Sequence, residues 1–473
     1  MAAVTEPLDW GVAELAAQIR KRAISSVEYA SLLQKHCAAH ADLNGFIHQD
    51  FDQLRAAARA ADAVKDGALR GVPIALKDNI DTKDAPTSGG TLALKANVPP
   101  ADAPVWQALH NAGAVLAGKV NMHELASGGS TENMAFGAAK NPYDITRSPG
   151  GSSGGCGVVL AARLSPGALG SDTAGSVRVP AALCGVVGLR PSHGRYSGAG
   201  VIPLAPSRDT VGPMARSVDD TALLDAIITG DAPSLDAVSL RDVRLGVDRT
   251  RFFAGADAAV LQVIDQALET LTRAGVTFVD VSAEPDRTLS TAASGAIFEN
   301  EFATGYEVYL KASAPKFTLA TIHAQIASPS LKARWTERLA KPAMPNPEAY
   351  RKAMTEMGPA LRAAHAQLFA DHKLDALIMP TAPQAALPFG GDDNVMIGGK
   401  SVSSWLMFVN TAYAPVRGIP SISLPAGLTP QNLPIGLQLD GARGADRRLL
   451  GVAKAVEAAL GVSIRPTVSS FKD

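Results

Sequence analysis

Cysteine is scarce in this chain: Cys37, Cys156 and Cys184 are all it has in 473 residues. So odd, sparse and widely spaced a set offers neither a disulfide framework nor metal-ligand spacing. Charge of one sign is also lacking. The 44 basic and 45 acidic residues leave a net charge of −1, which excludes the basic footprint of a nucleic-acid or anionic-membrane binder. No apolar run approaches the roughly 18 residues that span a bilayer. The stretch Met1–Trp10 has no basic region followed by an apolar run, so no signal peptide is read there. Polar linkers, internal repeats and low-complexity tracts are missing too. The expectation is a cytoplasmic protein in a reducing compartment, acting on a small molecule rather than on nucleic acid or membrane.

What is present supports a large core: 47% of residues are hydrophobic and 19% charged. The first 66 or so residues read as helices. Ser25 or Ser26 can cap a segment from Val27 to His40, and Asp50 or Asp52 can start another. From about 67 to 215 the texture turns to Gly, Ser and Pro around short apolar runs, Val72–Leu76, Ala114–Ala117 and Val186–Leu189. Such runs predict strands of an α/β architecture. Val260, Leu261, Ile264, Leu268 and Leu271 recur at helical spacing. Gly275 ends that helix, and Val276–Val281 reads as a strand. Residues 282–370 read as a helical insertion broken at Pro342–Pro347. Strand-like Ala376–Met379 and Ile422–Leu424 follow, then a terminal helix around Arg448–Leu460. The whole, 1–473, reads as one large domain.

Two segments carry the chemistry: Ser148-Pro-Gly-Gly-Ser-Ser-Gly-Gly155 and Gly170-Ser-Asp-Thr-Ala-Gly-Ser-Val-Arg178. Glycine allows close backbone approach, so such runs present N–H groups to an anion or a developing oxyanion. A flexible linker would not be flanked by apolar segments such as Val158–Ala162. Other motif matches fail on context. Gly150-Gly-Ser152-Ser-Gly154 has the form of a nucleophile elbow, but a polar segment with two prolines precedes it where a strand is required. Gly113–Lys119 imitates a P-loop, yet position 120 is Val where a magnesium-binding hydroxyl is needed. Ser313-Ala-Pro-Lys316 matches S-x-x-K with a proline in the turn. His123-Glu-Leu-Ala-Ser127 begins like a zinc helix and lacks the second histidine. His123 and His193 remain candidate bases, against the blander reading of structural loop histidines.

In order and spacing, Gly71-Val-Pro-Ile-Ala-Leu-Lys77-Asp-Asn-Ile80, Ser148–Gly155 and Gly170–Arg178 resemble the amidase signature family. Asn121-Met-His-Glu-Leu125, Ser130–Gly137 and Leu433-Pro-Ile-Gly-Leu-Gln-Leu439 share the resemblance, which covers most of the chain. It implies a central mixed β-sheet surrounded by helices and an acyl-enzyme mechanism without cofactor or metal. Ser176 would be the nucleophile, Ser152 the bridging serine after a cis peptide, and Lys77 the terminal base. The N–H groups of Thr173, Ala174, Gly175 and Ser176 would form the oxyanion hole. Ala126, Ser127 and Gly128 would form the opposite wall. A homodimer is the family-level expectation. The chain departs from the family at Ala174, where glycine is usual, which bears on the loop because alanine tolerates φ > 0 poorly.

The chemistry agrees with those roles. A serine hydroxyl is a poor nucleophile until a neighbour takes its proton. Lysine can do so only when neutral, which requires burial or neighbouring positive charge. Val72, Ile74 and Leu76 predict a buried strand ahead of Lys77. The alternative is that Lys77 merely pairs with Asp78 or Asp81. Within the family, Val179–Pro191, Ile202–Thr210, Asp375–Pro383 and Gly418–Pro425 look most like indoleacetamide and mandelamide hydrolases. The resemblance implies a primary amide on a short arm from an aromatic ring. An aryl acylamidase or carbamate hydrolase, an amidotransferase A subunit, and a catalytically silent scaffold are the competing readings.

Overall fold

The structure is a computed structural model that describes residues 6–64 and 66–466. The first half of Met1–Trp10 and both ends of the 1–473 span therefore lie outside the described residues.

Fourteen strands are found among the described residues: β1 (Phe46–His48), β2 (Pro73–Lys77), β3 (Val115–Val120), β4 (Gly167–Asp172), β5 (Val187–Arg190), β6 (Thr210–Ala215), β7 (Arg244–Val247), β8 (Thr277–Asp280), β9 (Ala376–Pro380), β10 (Phe389–Gly391), β11 (Asn394–Ile397), β12 (Lys400–Ser403), β13 (Ser421–Leu428) and β14 (Pro434–Gly441). Eleven of them make one mixed sheet in the order β1-β3-β2-β4-β6-β5-β13-β14-β9-β7-β8. The remaining three, β10 to β12, form a small antiparallel sheet of their own. Helices surround the large sheet. Their apolar faces meet it in two main cores, one over β2 to β4 and one over β7, β9, β13 and β14.

The helix starts follow local chemistry. Ser25 caps Ser26–Ala39 in a capping box with Glu28: the Ser25 hydroxyl accepts from Glu28 N–H at 3.1 Å, and Glu28 accepts from Ser25 N–H at 2.8 Å. Asp50 caps Phe51–Ala63 and Asp257 caps Ala258–Arg273. Gly275, with φ of 101°, turns the chain from that helix into β8. Between 282 and 370 the chain is helical over Thr288–Ser313, Leu319–Ala324, Pro329–Leu339, Pro347–Lys352 and Gly358–His372. Phe302, Tyr306 and Trp335 knit the first part of this region into an aromatic core. The Pro342–Pro347 break falls between two of these helices, with Pro347 at a helix start where its missing N–H costs nothing.

β2 is buried along its whole length and lies parallel to both β3 and β4. Its last residue is Lys77, and β4 ends beside it at Asp172. The helix Gly154–Ala161 packs against β2 and β4, and its glycines permit the approach. A Cβ on Gly155 would lie 2.2 Å from the Asn121 carbonyl oxygen. The glycine-rich segments are thus brought to the carboxyl ends of two parallel strands.

Candidate active site

Lys77 is fully buried, and its ammonium finds only oxygens of hydroxyl and carbonyl type. Nζ donates to Ser152 Oγ at 2.7 Å, to Ser171 Oγ at 2.9 Å and to the Ser171 carbonyl at 3.4 Å. Burial pulls its pKa down to about 7, while Cys156, Asp172 and Asp209 pull weakly the other way. The competing pairing with Asp78 or Asp81 does not form. Asp78 faces Lys119 at 3.6 Å, and Asp81 accepts from the Tyr309 hydroxyl at 2.8 Å. Ser171, which the sequence did not single out, is the second anchor of Lys77. Asn79 Nδ2 donates to the same Ser171 hydroxyl at 3.0 Å and fixes it.

The Gly151–Ser152 peptide is cis. Ser152 is fully buried, and its carbonyl accepts from His123 N–H at 3.1 Å. The next residue ties this segment to the loop 173–177, since Ser153 N–H donates to the Ser176 carbonyl at 3.1 Å. The hydroxyls of Ser152 and Ser176 are not hydrogen-bonded to each other, so the structure joins Lys77 to Ser152 directly and Ser176 only through backbone.

A buried charge network closes the loop 173–177 at its base. Asp172 accepts from Arg178 Nε and Nη2, each at 3.0 Å, and from Arg190 Nη1 at 3.0 Å. Burial alone would raise the Asp172 carboxyl, but the two guanidinium groups hold it well below the usual carboxylate range. Asp172 and Arg178 bracket the loop and staple its ends together. Its middle is held from outside: Thr173 Oγ1 donates to Asp209 at 2.5 Å, and Thr411 Oγ1 donates to the Ala174 carbonyl at 2.7 Å. The positive φ falls on Gly175, at 143°, and Ala174 keeps an ordinary one. The alanine therefore fits without strain. Gly175 could not be replaced, because a Cβ there would lie 2.1 Å from Thr411 Oγ1. Asp209 also lines a cavity of about 510 Å³ together with Val201, Pro203, Val211 and Tyr309.

Ala126 ends a one-turn helix, Glu124–Ala126, in which Leu125 and Ala126 both have positive φ, 52° and 56°, and Ser127 and Gly128 follow it. Arg334 Nη2 donates to the Ser127 carbonyl at 2.9 Å. The Phe408 ring links this segment to the loop 173–177: a Cβ on Gly129 or on Gly175 would lie 2.7 or 2.9 Å from it.

With this arrangement in view, comparison with known proteins is direct. Residues 29–450 match a family profile described as Amidase. The chain is 35% identical to an indoleacetamide hydrolase of Agrobacterium vitis, over 97% of this chain and 98% of that one. This chain belongs to the amidase family. It is also 36% identical to a mandelamide hydrolase of Pseudomonas putida, over 97% of this chain and 93% of that one. Among solved structures, the native peptide amidase from Stenotrophomonas maltophilia superposes with a TM-score of 0.85 at 30% identity, covering 98% of this chain and 99% of that one. The protein is thus an amidase with the amidase signature fold, one domain built on a large mixed sheet.

The remaining motif matches in this amidase resolve into structural roles. Lys119, in the P-loop look-alike, is buried on β3 and donates to Thr87 Oγ1 at 2.7 Å. Glu124, in the zinc-helix look-alike, accepts from the N–H groups of Ala327 and Ser328, at 3.1 and 3.0 Å. Ser313 ends a helix and Lys316 lies beyond it. His193 meets the Pro206 carbonyl at 3.1 Å. Cys37, Cys156 and Cys184 are free and buried, and burial pushes the Cys37 thiol up to about 11 and the Cys156 thiol up to about 12, far from reactive thiolates. Among the described residues no cluster of three or more His, Cys, Asp or Glu could hold a metal, and no helix is long and apolar enough to cross a membrane.

Proposed function

We propose that this amidase hydrolyses a primary carboxamide carried on a short arm from an aromatic ring, through a covalent acyl-enzyme on Ser176. The observation that carries the reading is the 2.7 Å contact between Lys77 Nζ and Ser152 Oγ, with the lysine pulled down to about 7 by burial. Near neutral pH a neutral Lys77 accepts the Ser152 proton as Ser152 accepts that of Ser176. Ser176 Oγ attacks the amide carbon. The oxyanion forms against the N–H groups of Thr173, Ala174, Gly175 and Ser176, a loop already fixed by Asp172, Asp209 and Thr411. The proton then returns through Ser152 to the leaving nitrogen, the C–N bond breaks and ammonia departs. Water, activated by the same pair, releases the carboxylic acid. The Ser152–Ser176 hydroxyl contact that completes the relay is of the kind that tightens in the substrate complex.

The indoleacetamide and mandelamide hydrolase relatives support the choice of an arylacetamide-type substrate. The test compares ammonia release from indole-3-acetamide, mandelamide, glutamine and an anilide. The two arylacetamides are expected to be the best substrates. Preference for glutamine or the anilide sinks the substrate reading. Ser176→Ala should lower turnover by on the order of 10⁶ with folding intact. A fluorophosphonate should label Ser176 in the wild type. Label on Ser152 or Ser153 instead would overturn the assignment.

A further inference from the structure

The small sheet β10 to β12 ends its first hairpin in a two-residue loop, Asp392–Asp393, since Gly391 pairs with Asn394 across it. Both loop residues have positive φ, 47° and 70°. A hairpin loop of this kind needs φ > 0 at both centres and takes Asn-Gly or Asp-Gly most readily. Two aspartates there hold a sparsely populated backbone without the glycine that would relieve it, and an outlier of this kind points to a function for the side chains.

Asp393 grips the wall segment around Ala126–Gly128 directly, and Asp392 holds the start of the helix that contacts it. Asp393, 4% exposed, accepts from Gly129 N–H at 2.9 Å and from the Ser404 hydroxyl. Asp392 accepts from the Ser328 hydroxyl at 2.5 Å and Ser330 N–H at 2.7 Å, at the start of the helix Pro329–Leu339. That helix carries Arg334, which donates to the Ser127 carbonyl. One turn therefore fixes the wall on both sides, directly through Gly129 and indirectly through Arg334. The gripped segment is packed against the reacting groups. A Cβ on Gly151, the residue before the bridging serine, would lie 3.0 Å from the Gly129 carbonyl carbon. Phe408 spans from Gly129 to Gly175. His123 sits beneath Gly128, with its Nδ1 buried, without a hydrogen-bond partner and 3.7 Å from Asp393.

We propose that the Asp392–Asp393 turn is a positioning device, with Asp393 the positioning residue that sets the wall against which the substrate's acyl group lies. The proposal rests on the reading of Ala126–Gly128 as the pocket wall opposite Ser176. It gives the first turn of the small separate sheet a role beside that of Ser404 and Phe408, which follow β12 and also meet Gly129.

The decisive variant is Asp392→Asn/Asp393→Gly. It installs a favourable turn, keeps an acceptor at 392 for the helix start, and removes the carboxylate that accepts from Gly129 N–H, leaving that N–H only the Ser404 hydroxyl at 3.1 Å. Its companions are Asp393→Asn, whose amide oxygen can still accept from Gly129 N–H, and Asp393→Ala. Each is compared with wild type for melting temperature, for kcat and KM on indole-3-acetamide and acetamide, and for the rate at which phenyl and methyl fluorophosphonates label Ser176. A small misplacement of reacting groups costs up to about 100-fold. The Asn-Gly variant should melt no lower than wild type, yet lose at least about tenfold on the ring-bearing amide and probe, and clearly less on acetamide and the methyl probe. Asp393→Ala should behave likewise, and Asp393→Asn should keep most of the activity. Full activity in the Asn-Gly variant overturns the proposal, as does an equal loss on both substrates that follows a lowered melting temperature. Failure of wild type to label at Ser176 overturns the triad reading, and the wall with it. Labelling without amide turnover counts against the substrate alone, and the probe rates then decide the role of the turn.

Discussion

Two lysines sit one strand apart near one edge of the large sheet, and they differ in what they meet. Lys77 ends β2, and Lys119 lies next to it on β3, where it pairs in register with Leu76. Both are fully buried, and burial lowers the pKa of both. Lys119 faces the Asp78 carboxylate at 3.6 Å. Lys77 faces hydroxyls. A hydroxyl can accept from an ammonium and can also donate to a neutral amine, whereas a carboxylate can only accept and favours the charged form. Burial supplies the pressure to lose a proton in both places, and the partner decides whether it is lost. The same sheet thereby holds a lysine drawn toward its neutral form and a structural ion pair within one strand spacing.

The most direct way to break the contrast is to remove the base. Lys77→Ala should lower kcat/KM on a primary amide by about 10²–10⁴. The pH profile of the wild type should show an ascending limb near 7. The sign follows from the lowered pKa: the neutral, proton-accepting form gains population as pH rises through about 7. That limb should vanish in the variant, and esters should suffer less than amides because their leaving group needs less proton donation. An unchanged limb would assign the titration to another group.

Turning Lys77 into a second Lys119 is the next test. Ser171→Asp places a carboxylate where Ser171 Oγ now lies 2.9 Å from Nζ. An adjacent opposite charge shifts a pKa by about 1–3 units in favour of the charged form. The limb should move to higher pH, and activity at pH 7 should fall by about tenfold or more. Recovery at alkaline pH separates this outcome from misfolding, and a limb that stays in place contradicts the account. Lys119→Met should have the smallest effect on chemistry. Removing one partner of a buried pair costs about 3–5 kcal/mol, read as a lowered denaturant midpoint. The limb of the folded fraction should stay where it is.

How far these features were legible depended on what carried the signal. Lys77 was readable because Val72, Ile74 and Leu76 form an apolar run that ends in a charge. Ser25 and Asp50 were readable because caps are local. β4 and β6 were not, because Gly167–Asp172 and Thr210–Ala215 lack β-branched alternation, and β6 contains Pro213. The proline is tolerated there because the β5–β6 ladder covers only Ala215 and Met214 and stops short of it. β14 was seen as part of a family motif, not as a strand. Ser171 carried no signal of its own, since its role comes from a neighbouring strand. The Asp392–Asp393 turn lacked the glycine that marks a hairpin. Its partner Gly129 lies 264 residues away.

The strand order has a consequence for a chain made from its amino end. β5 and β9 are joined only through β13 and β14, which span Ser421–Gly441. The strands that carry Lys77 and Asp172 are all translated by residue 215, yet the edge at β5 has no partner until residues 421–441 leave the ribosome. Until then β9, β7 and β8 form a separate fragment with an open edge of its own. Unpaired edges recruit whatever strand they meet. A nascent chain stalled before Ser421 would therefore expose two sticky seams at once, and a stop codon there should yield insoluble product rather than a smaller working enzyme.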